Sequence, residues 1–180
     1  MADKMTPEQR RRCMQSIKGK DTKPEVLVRK FLWAQGFRYR LYVNSLPGRP
    51  DIVMRKYKTA IFINGCFWHG HRVGDNGYNV ASSLCCKIPS TRRDFWVAKI
   101  TRNKERDIVN YERLIRNGWK VLVVWECQLR KKEERERTLQ ALSARLSRLI
   151  LDSYSKGYMI PEEALSIAAE DRNDGYNTKD

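Results

Sequence analysis

Asp51-Ile-Val-Met-Arg-Lys-Tyr-Lys-Thr-Ala-Ile-Phe-Ile-Asn-Gly-Cys-Phe-Trp-His-Gly-His71 is the stretch that decides the fold. It holds two β-rich runs, Asp51 to Tyr57 and Thr59 to Ile63. Ile52, Val53, Ile61, Phe62 and Ile63 supply the apolar side chains, and the short gap between the runs favours a hairpin. Upstream, Leu46-Pro47-Gly48-Arg49-Pro50 is a turn that leads back to a third run, Arg38 to Val43. Pro50 has no N–H to give to a sheet ladder, so the strand starts after it.

Downstream, Ser90 or Thr91 is expected to cap a long helix that runs through Asn117 and ends at Gly118. Phe95, Ile100, Ile108, Tyr111, Leu114 and Ile115 are its expected buried positions. Val121-Leu-Val-Val-Trp125 is a continuous apolar run that suits a fully buried central strand. Hairpin strands followed by a helical crossover and another strand imply a mixed sheet covered by helices, an α/β fold.

Two helices precede the strands. Thr6, Pro7 and Gln9 read as cap, N1 and N3 of a helix rich in arginine that ends at Gly19. Thr22, Pro24 and Glu25 start the second, which carries Val26, Leu27, Phe31 and Leu32 and ends at Gly36. Leu139, Leu142, Leu146, Leu149 and Ile150 mark a last helix. The expected organisation is a helical arm over residues 1–20, a main domain over 21–152 and a peripheral, partly disordered tail over 153–180.

The chain has 180 residues, with 36 Lys and Arg against 21 Asp and Glu, a net charge of +15. That excess points to a polyanionic partner, nucleic acid above all. No apolar run approaches the ~20 residues of a membrane span, and no signal-peptide core is expected at the N-terminus. Five cysteines with no export signal read as reduced thiols or metal ligands.

Both histidines fall in Cys66-Phe67-Trp68-His69-Gly70-His71. Cys66, His71, one of Cys85 or Cys86, and Cys127 make a Cys₃His set that suits tetrahedral zinc and would tie down the long loop from Gly65 to Pro89. Buried free thiols with a surface histidine are the competing reading. On an extended backbone alternate residues face opposite sides, and His69 is read as pointing elsewhere, left as a general base or a phosphate contact. Pro50-Asp51 at a strand start resembles the restriction-endonuclease-like nucleases, in which an Asp so placed binds Mg²⁺. The acidic-x-Lys pair usual in those nucleases is absent from Ile61-Phe-Ile-Asn-Gly65.

A narrower family departs from the pattern in the same way. Leu46-Pro-Gly-Arg-Pro-Asp51, Gly65-Cys-Phe-Trp-His-Gly-His71, Arg92 to Trp96 and Val124-Trp-Glu-Cys127 together resemble the very-short-patch repair (Vsr) DNA mismatch endonucleases. The resemblance runs from about Thr6 to Arg130. It implies a restriction-endonuclease-like mixed sheet with a structural zinc site. It implies an enzyme that nicks one strand beside the T of a T:G mismatch left by 5-methylcytosine deamination. By the same resemblance Mg²⁺ is held by the Asp51 carboxylate and the Ile63 main-chain carbonyl, and His69 activates water. Glu25 and Asp107 support that site, and Cys66, His71 and Cys127 bind zinc with Cys85 or Cys86. Relatives place the remaining cysteine soon after the position of His71, whereas this chain inserts residues 72–84 first. Relatives also carry a second histidine where Asn64 stands, which suggests a weaker phosphate contact here.

Phe67, Trp68 and Trp96 match aromatics that wedge between bases beside the mismatch, and Trp68 is expected to be exposed. Met14 enters from the opposite groove. Arg10, Arg11, Arg12, Lys18, Lys20, Arg92 and Arg93 are expected phosphate contacts. Trp119 and Trp125 are assigned to the core. The expected setting is a monomer in the bacterial cytoplasm, nucleoid-associated when bound to DNA, with no membrane contact and with repair proteins as possible partners. Two alternatives stay open: a zinc-stabilised DNA-binding module without catalysis, and a restriction-like nuclease acting on undamaged DNA.

Overall fold

The computed structural model describes residues 6–16, 18–71 and 85–155, apart from the side chains of Pro7, Arg10 and Ser155. The insertion at 72–84 and the tail beyond 155 therefore lie outside the described residues. Contact clustering divides the chain into two units, 1–143 and 144–180.

The first unit opens with α1 (Pro7–Gln15) and α2 (Lys23–Ala34). Thr6 and Gln9 form a capping box: the Gln9 N–H donates to the Thr6 hydroxyl at 3.2 Å, and the Thr6 N–H donates to Gln9 Oε1 at 2.9 Å. α1 stops four residues before Gly19, at a Ser16 cap whose hydroxyl donates to the Cys13 carbonyl at 2.7 Å. This local bond replaces the expected glycine stop. Gly36 and Gly118 do terminate helices. Each has positive φ, and in each case the next residue bonds back to the third-last helical carbonyl, Phe37 to Leu32 and Trp119 to Leu114.

Four strands follow in the order β1 (Arg40–Leu41), β2 (Ile52–Met54), β3 (Thr59–Asn64) and β4 (Lys120–Trp125). β1, β2 and β3 are antiparallel neighbours, and β3 pairs parallel with β4. The mixed sheet is thus as expected, with α3 (Arg93–Arg116) as the crossover. β1 and β2 are shorter than the apolar runs suggest. After Met54 the chain turns into a 3₁₀ segment, Arg55–Tyr57, closed by Lys58 at φ 45°.

All six residues of β3 are buried. β4, expected at the centre, stands at the end of the sheet, and Val124 is its one buried residue. Among the described residues it has a single neighbouring strand, and its Val121 and Val123 pack at the margin of a cluster formed by Ala60, Phe62 and Leu114. Trp119 and Tyr111 join the same cluster.

α3 departs from expectation at both its start and its face. Arg92 precedes it in the left-handed region at φ 54°, so no hydroxyl caps the helix. Ile100 and Leu114 are buried, whereas Phe95, Ile108 and Ile115 are 46%, 54% and 59% exposed. The inward stripe is Trp96, Ile100, Asn103, Asp107, Tyr111 and Leu114, at the three- and four-residue steps of one helix face. Four of its six residues are polar or aromatic, which hides it from a search for aliphatic periodicity. The last helix, α4 (Lys132–Ser155), buries Leu139 and Leu142; in the second unit Leu146 is buried and Leu149 and Ile150 are half-buried.

Candidate active site and metal centre

The topology gathers the candidate residues at one end of the sheet. β2 begins where β3 and β4 finish, since Ile52 pairs with Ile61 and Asn64 pairs with Trp125. Asp51 therefore sits beside the exit of β3, and Cys66 and Cys127 each lie two residues past a paired position. Ligands in open α/β sheets are bound at such carboxyl ends of strands.

A cleft of about 750 Å³ opens there. Its walls include Glu25, Asp51, Ile63, Asn64 and His69, with Trp68 at one side and Met14, Lys18 and Lys20 at another. The Ile63 N–H donates to Asp51 Oδ2 at 2.7 Å, so the main-chain amide of Ile63 orients this carboxylate. Burial pushes the Asp51 carboxyl up to about 6. The Ile63 N–H opposes that rise, the Glu25 charge adds to it, and His69 and Arg29 oppose it.

His69 Nδ1 lies 2.5 Å from Asp107 Oδ2. The backbone between Cys66 and His71 is a tight turn, not the extended chain expected. The His69 N–H bonds to the Gly65 carbonyl and the His71 N–H to the Cys66 carbonyl. This turn, not strand alternation, sends the two imidazoles to different places. Gly70 makes it possible at φ 61°: a Cβ there would meet Ile100 Cγ2 at 2.7 Å. Asn103 Nδ2 donates to the Trp68 carbonyl at 2.9 Å, which locks the turn onto α3.

His71 goes to the thiols. Its Nδ1 lies 3.6 Å from Cys66 Sγ and 3.4 Å from the sulfurs of Cys85 and Cys127. The four ligand atoms lie within 4.8 Å of one another, the one such group of three or more among the described residues. A tetrahedral ion with ordinary Zn–S and Zn–N bonds has S···N edges of about 3.6 Å, so the donor set and its spacing fit a divalent ion of that class. Trp125 stacks on the His71 ring at 4.0 Å and holds it in plane. Cys86 stands outside the group, its thiol donating to the carbonyls of Cys66 and His71. Burial first, and then the neighbouring Cys85, push the Cys86 thiol up to about 11.

Four rings form a row beside the cleft. Trp68 and Phe67 meet at 5.0 Å, Phe67 and Trp96 at 5.2 Å, and Trp96 and Phe95 at 5.2 Å, all edge to face. Trp68, expected exposed, is half-buried because its neighbours pack against it; Phe95, expected buried, is the exposed end of the row. Lys99 Nζ stands 5.5 Å from the Trp68 ring and 5.6 Å from Trp96.

Among the expected basic contacts, Arg11, Arg12, Lys18, Lys20 and Arg92 are exposed and Arg93 is half-buried. The Arg10 side chain lies outside the described residues. Met14 is 40% exposed at the cleft.

The profile of the family described as "DNA mismatch endonuclease Vsr" matches residues 2–74. The type II nicking enzyme V.NmeAIP of Neisseria meningitidis is 51% identical over 132 residues, covering 73% of this chain and 87% of the relative. The chain belongs to the Vsr family. The DNA mismatch endonuclease Vsr of Escherichia coli K12 is 41% identical over 150 residues, 83% of this chain and 88% of that protein. The type II nicking enzyme V.XorIIP of Xanthomonas oryzae is 42% identical over 154 residues, 84% and 98% of the two chains. As a Vsr-family protein this chain is a nuclease that hydrolyses DNA phosphodiester bonds, and its sheet is the restriction-endonuclease-like one expected.

Sequence reasoning about this Vsr-family chain missed Arg29, Tyr42, Asn103 and Tyr111. Arg29 and Tyr42 bond to Glu25, Asn103 to the Trp68 carbonyl, and the Tyr111 hydroxyl accepts from Asn64 Nδ2 at 2.9 Å. Their signal is spacing: Asn103 and Tyr111 stand one helical turn before and after Asp107. Among the described residues, no helix is long and apolar enough to cross a membrane.

Proposed function

We propose that this protein nicks one strand of duplex DNA beside the T of a T:G mismatch, in Mg²⁺-dependent repair of deaminated 5-methylcytosine. The observation that carries the reading is the His69–Asp107 pair opening into the same cleft as Asp51. With Nδ1 committed to Asp107, Nε2 of His69 is the atom left to take a proton from an attacking water.

Asp51 supplies a hard carboxylate, Ile63 a main-chain carbonyl and Glu25 a second carboxylate. Oxygen donors of this kind suit Mg²⁺, which keeps several waters and needs few protein ligands. The bound ion would stabilise charge on the scissile phosphate and the leaving oxygen. The Cys66, His71, Cys85 and Cys127 group would hold zinc and staple the turn that carries His69 to the end of β4.

Mismatch selection falls to the ring row. Phe67, Trp68 and Trp96 would replace lost base stacking, and unstacking costs least where pairing is already poor. Met14 would approach from the opposite groove, and Arg10 to Arg12, Lys18, Lys20, Arg92 and Arg93 would hold phosphates. A monomer in the cytoplasm, at the nucleoid, fits that task. The division into an arm at 1–20, a catalytic domain at 21–152 and a tail from 153 is part of the same proposal.

The test is nicking of an end-labelled T:G duplex against its T:A counterpart with Mg²⁺. Cutting of the T:G strand alone supports mismatch repair. Equal cutting of both supports a nuclease of undamaged DNA.

A further inference from the structure

The hydrogen bonds to Glu25 are divided unevenly between its oxygens. Oε2 accepts from the Asp21 N–H at 3.0 Å, the Tyr42 hydroxyl at 2.5 Å and Arg29 Nη2 at 3.3 Å. Among the described residues Oε1 accepts from one donor, the Thr22 hydroxyl at 2.7 Å. A carboxylate offers about two lone-pair sites on each oxygen, so Oε2 is filled and Oε1 has room for one more donor. Glu25 itself is only 5% exposed and lines the cleft that holds Asp51.

The donors are braced in turn. The Tyr42 hydroxyl accepts from the Asp21 N–H at 2.8 Å and from Arg29 Nη2 at 3.0 Å. Arg29 Nη2 also reaches Asp21 Oδ1 at 2.7 Å, and the Arg29 carbonyl accepts from the Tyr39 hydroxyl at 2.8 Å. Tyr42 occupies the left-handed region at φ 48°, which a bulky side chain rarely adopts. Such backbone strain persists where the surroundings over-determine it, and it clusters at functional sites.

We propose that Arg29 and Tyr42 are positioning residues for the phosphodiester chemistry. They fix Glu25 through Oε2 and leave Oε1 to accept from a water in the shell of the cleft's cation. This rests on the reading of the cleft as a Mg²⁺-dependent nuclease centre. Neither residue touches the reacting atoms; each acts through Glu25. Removing a partner of this outer kind commonly costs 10–100-fold in metal affinity or activity.

Tyr42→Phe tests this with the least disturbance, because it keeps the ring beneath Lys20 and Arg29 and deletes the hydroxyl. We expect kcat to fall roughly 10-fold and the half-saturating Mg²⁺ concentration to rise by a similar factor. KM for the duplex should stay within about 2-fold, since uniform DNA binding is untouched. Arg29→Met should lose more, and Arg29→Lys should recover part of that loss. Calorimetric titration of Mg²⁺ into the complex with a duplex made uncleavable at the cut site reads metal affinity without turnover. It should show the same weakening in Tyr42→Phe. If wild-type protein fails to nick, the nuclease reading of the cleft falls, and calorimetry still decides the role of Tyr42. Wild-type kcat and wild-type Mg²⁺ affinity in Tyr42→Phe, with only a lowered Tm, would overturn the proposal and leave the network as a structural clasp.

Discussion

Asp107 on α3 holds Nδ1 of His69, 38 residues earlier in the chain, at 2.5 Å. In the proposed reaction the carboxylate would fix the tautomer of the imidazole and stabilise the imidazolium formed when His69 takes a proton from water. Asp107→Asn keeps the shape and loses the charge. Nicking should fall by about 10²–10⁴-fold, the usual scale of general-base catalysis, with KM for the duplex little changed. Steady-state kinetics on a T:G duplex checks this. A loss confined to KM would place Asp107 in DNA binding instead.

Asp51 is held ready at a cost to stability. Its folded-state value of about 6 stands above the ordinary 3.8, so the folded chain prefers the neutral carboxyl. That preference stabilises fully below pH 3.8 and is lost as pH rises through about 6. At pH 7 without metal, the ionised group costs up to about 3 kcal/mol. Asp51→Asn should therefore raise the Tm at pH 7 in buffer without Mg²⁺ or chelator, by several degrees at about 2–4 °C per kcal/mol, and much less at pH 4. Thermal melts at the two pH values measure the difference. An equal gain at both would show that ionisation is not the cause.

The metal centre separates two adjacent cysteines. Cys85 stands 3.4 Å from His71 Nδ1, while Cys86 points its thiol at carbonyls. Cys85→Ser should lose the bound metal and much of the thermal stability, as expected where metal binding is folding free energy. Cys86→Ser should keep one metal per chain. Elemental analysis of the purified variants decides it, and metal loss in Cys86→Ser with retention in Cys85→Ser would reverse the assignment.

The first helix start and the stops of α2 and α3 were legible in the sequence. Thr6, Pro7 and Gln9 state a capping box in local chemistry alone, and Gly36 and Gly118 state left-handed exits. The proposed catalytic and metal-binding residues were picked out only through family-specific motifs; the structure gathers Asp51, Glu25 and His69 at one cleft and Cys66, His71, Cys85 and Cys127 in one group. What stayed hidden depends on tertiary contact. Aliphatic spacing put Phe95, Ile108 and Ile115 on the buried face of α3, but they are exposed. The true stripe carries Asn103, Asp107 and Tyr111, half-buried polar side chains that face inward because the turn at 66–71 and the end of β3 offer them partners. Likewise nothing local marks Val121 to Trp125 as an end strand, since its run of apolar residues is the same whether one or two strands flank it.

Gly70 is the hinge of the His69 turn. Gly70→Ala adds a Cβ 2.7 Å from Ile100 Cγ2 at a positive φ. The strained backbone and the overpacked contact together should cost about 2–4 kcal/mol. Denaturant melts would show the loss, and nicking should fall further than stability alone explains because His69 moves. Full activity in a variant of normal stability would show that the turn tolerates a side chain.

The central claim is that this cleft cuts DNA through Asp51 while the ring row and basic residues bind it. The most direct measurement runs wild-type protein and Asp51→Ala side by side on a strand-labelled T:G duplex with Mg²⁺. Binding is followed by gel shift in the same samples. The account predicts one labelled fragment from the wild type, none from Asp51→Ala, and similar duplex binding by both. Nicking by Asp51→Ala at the wild-type rate would contradict it.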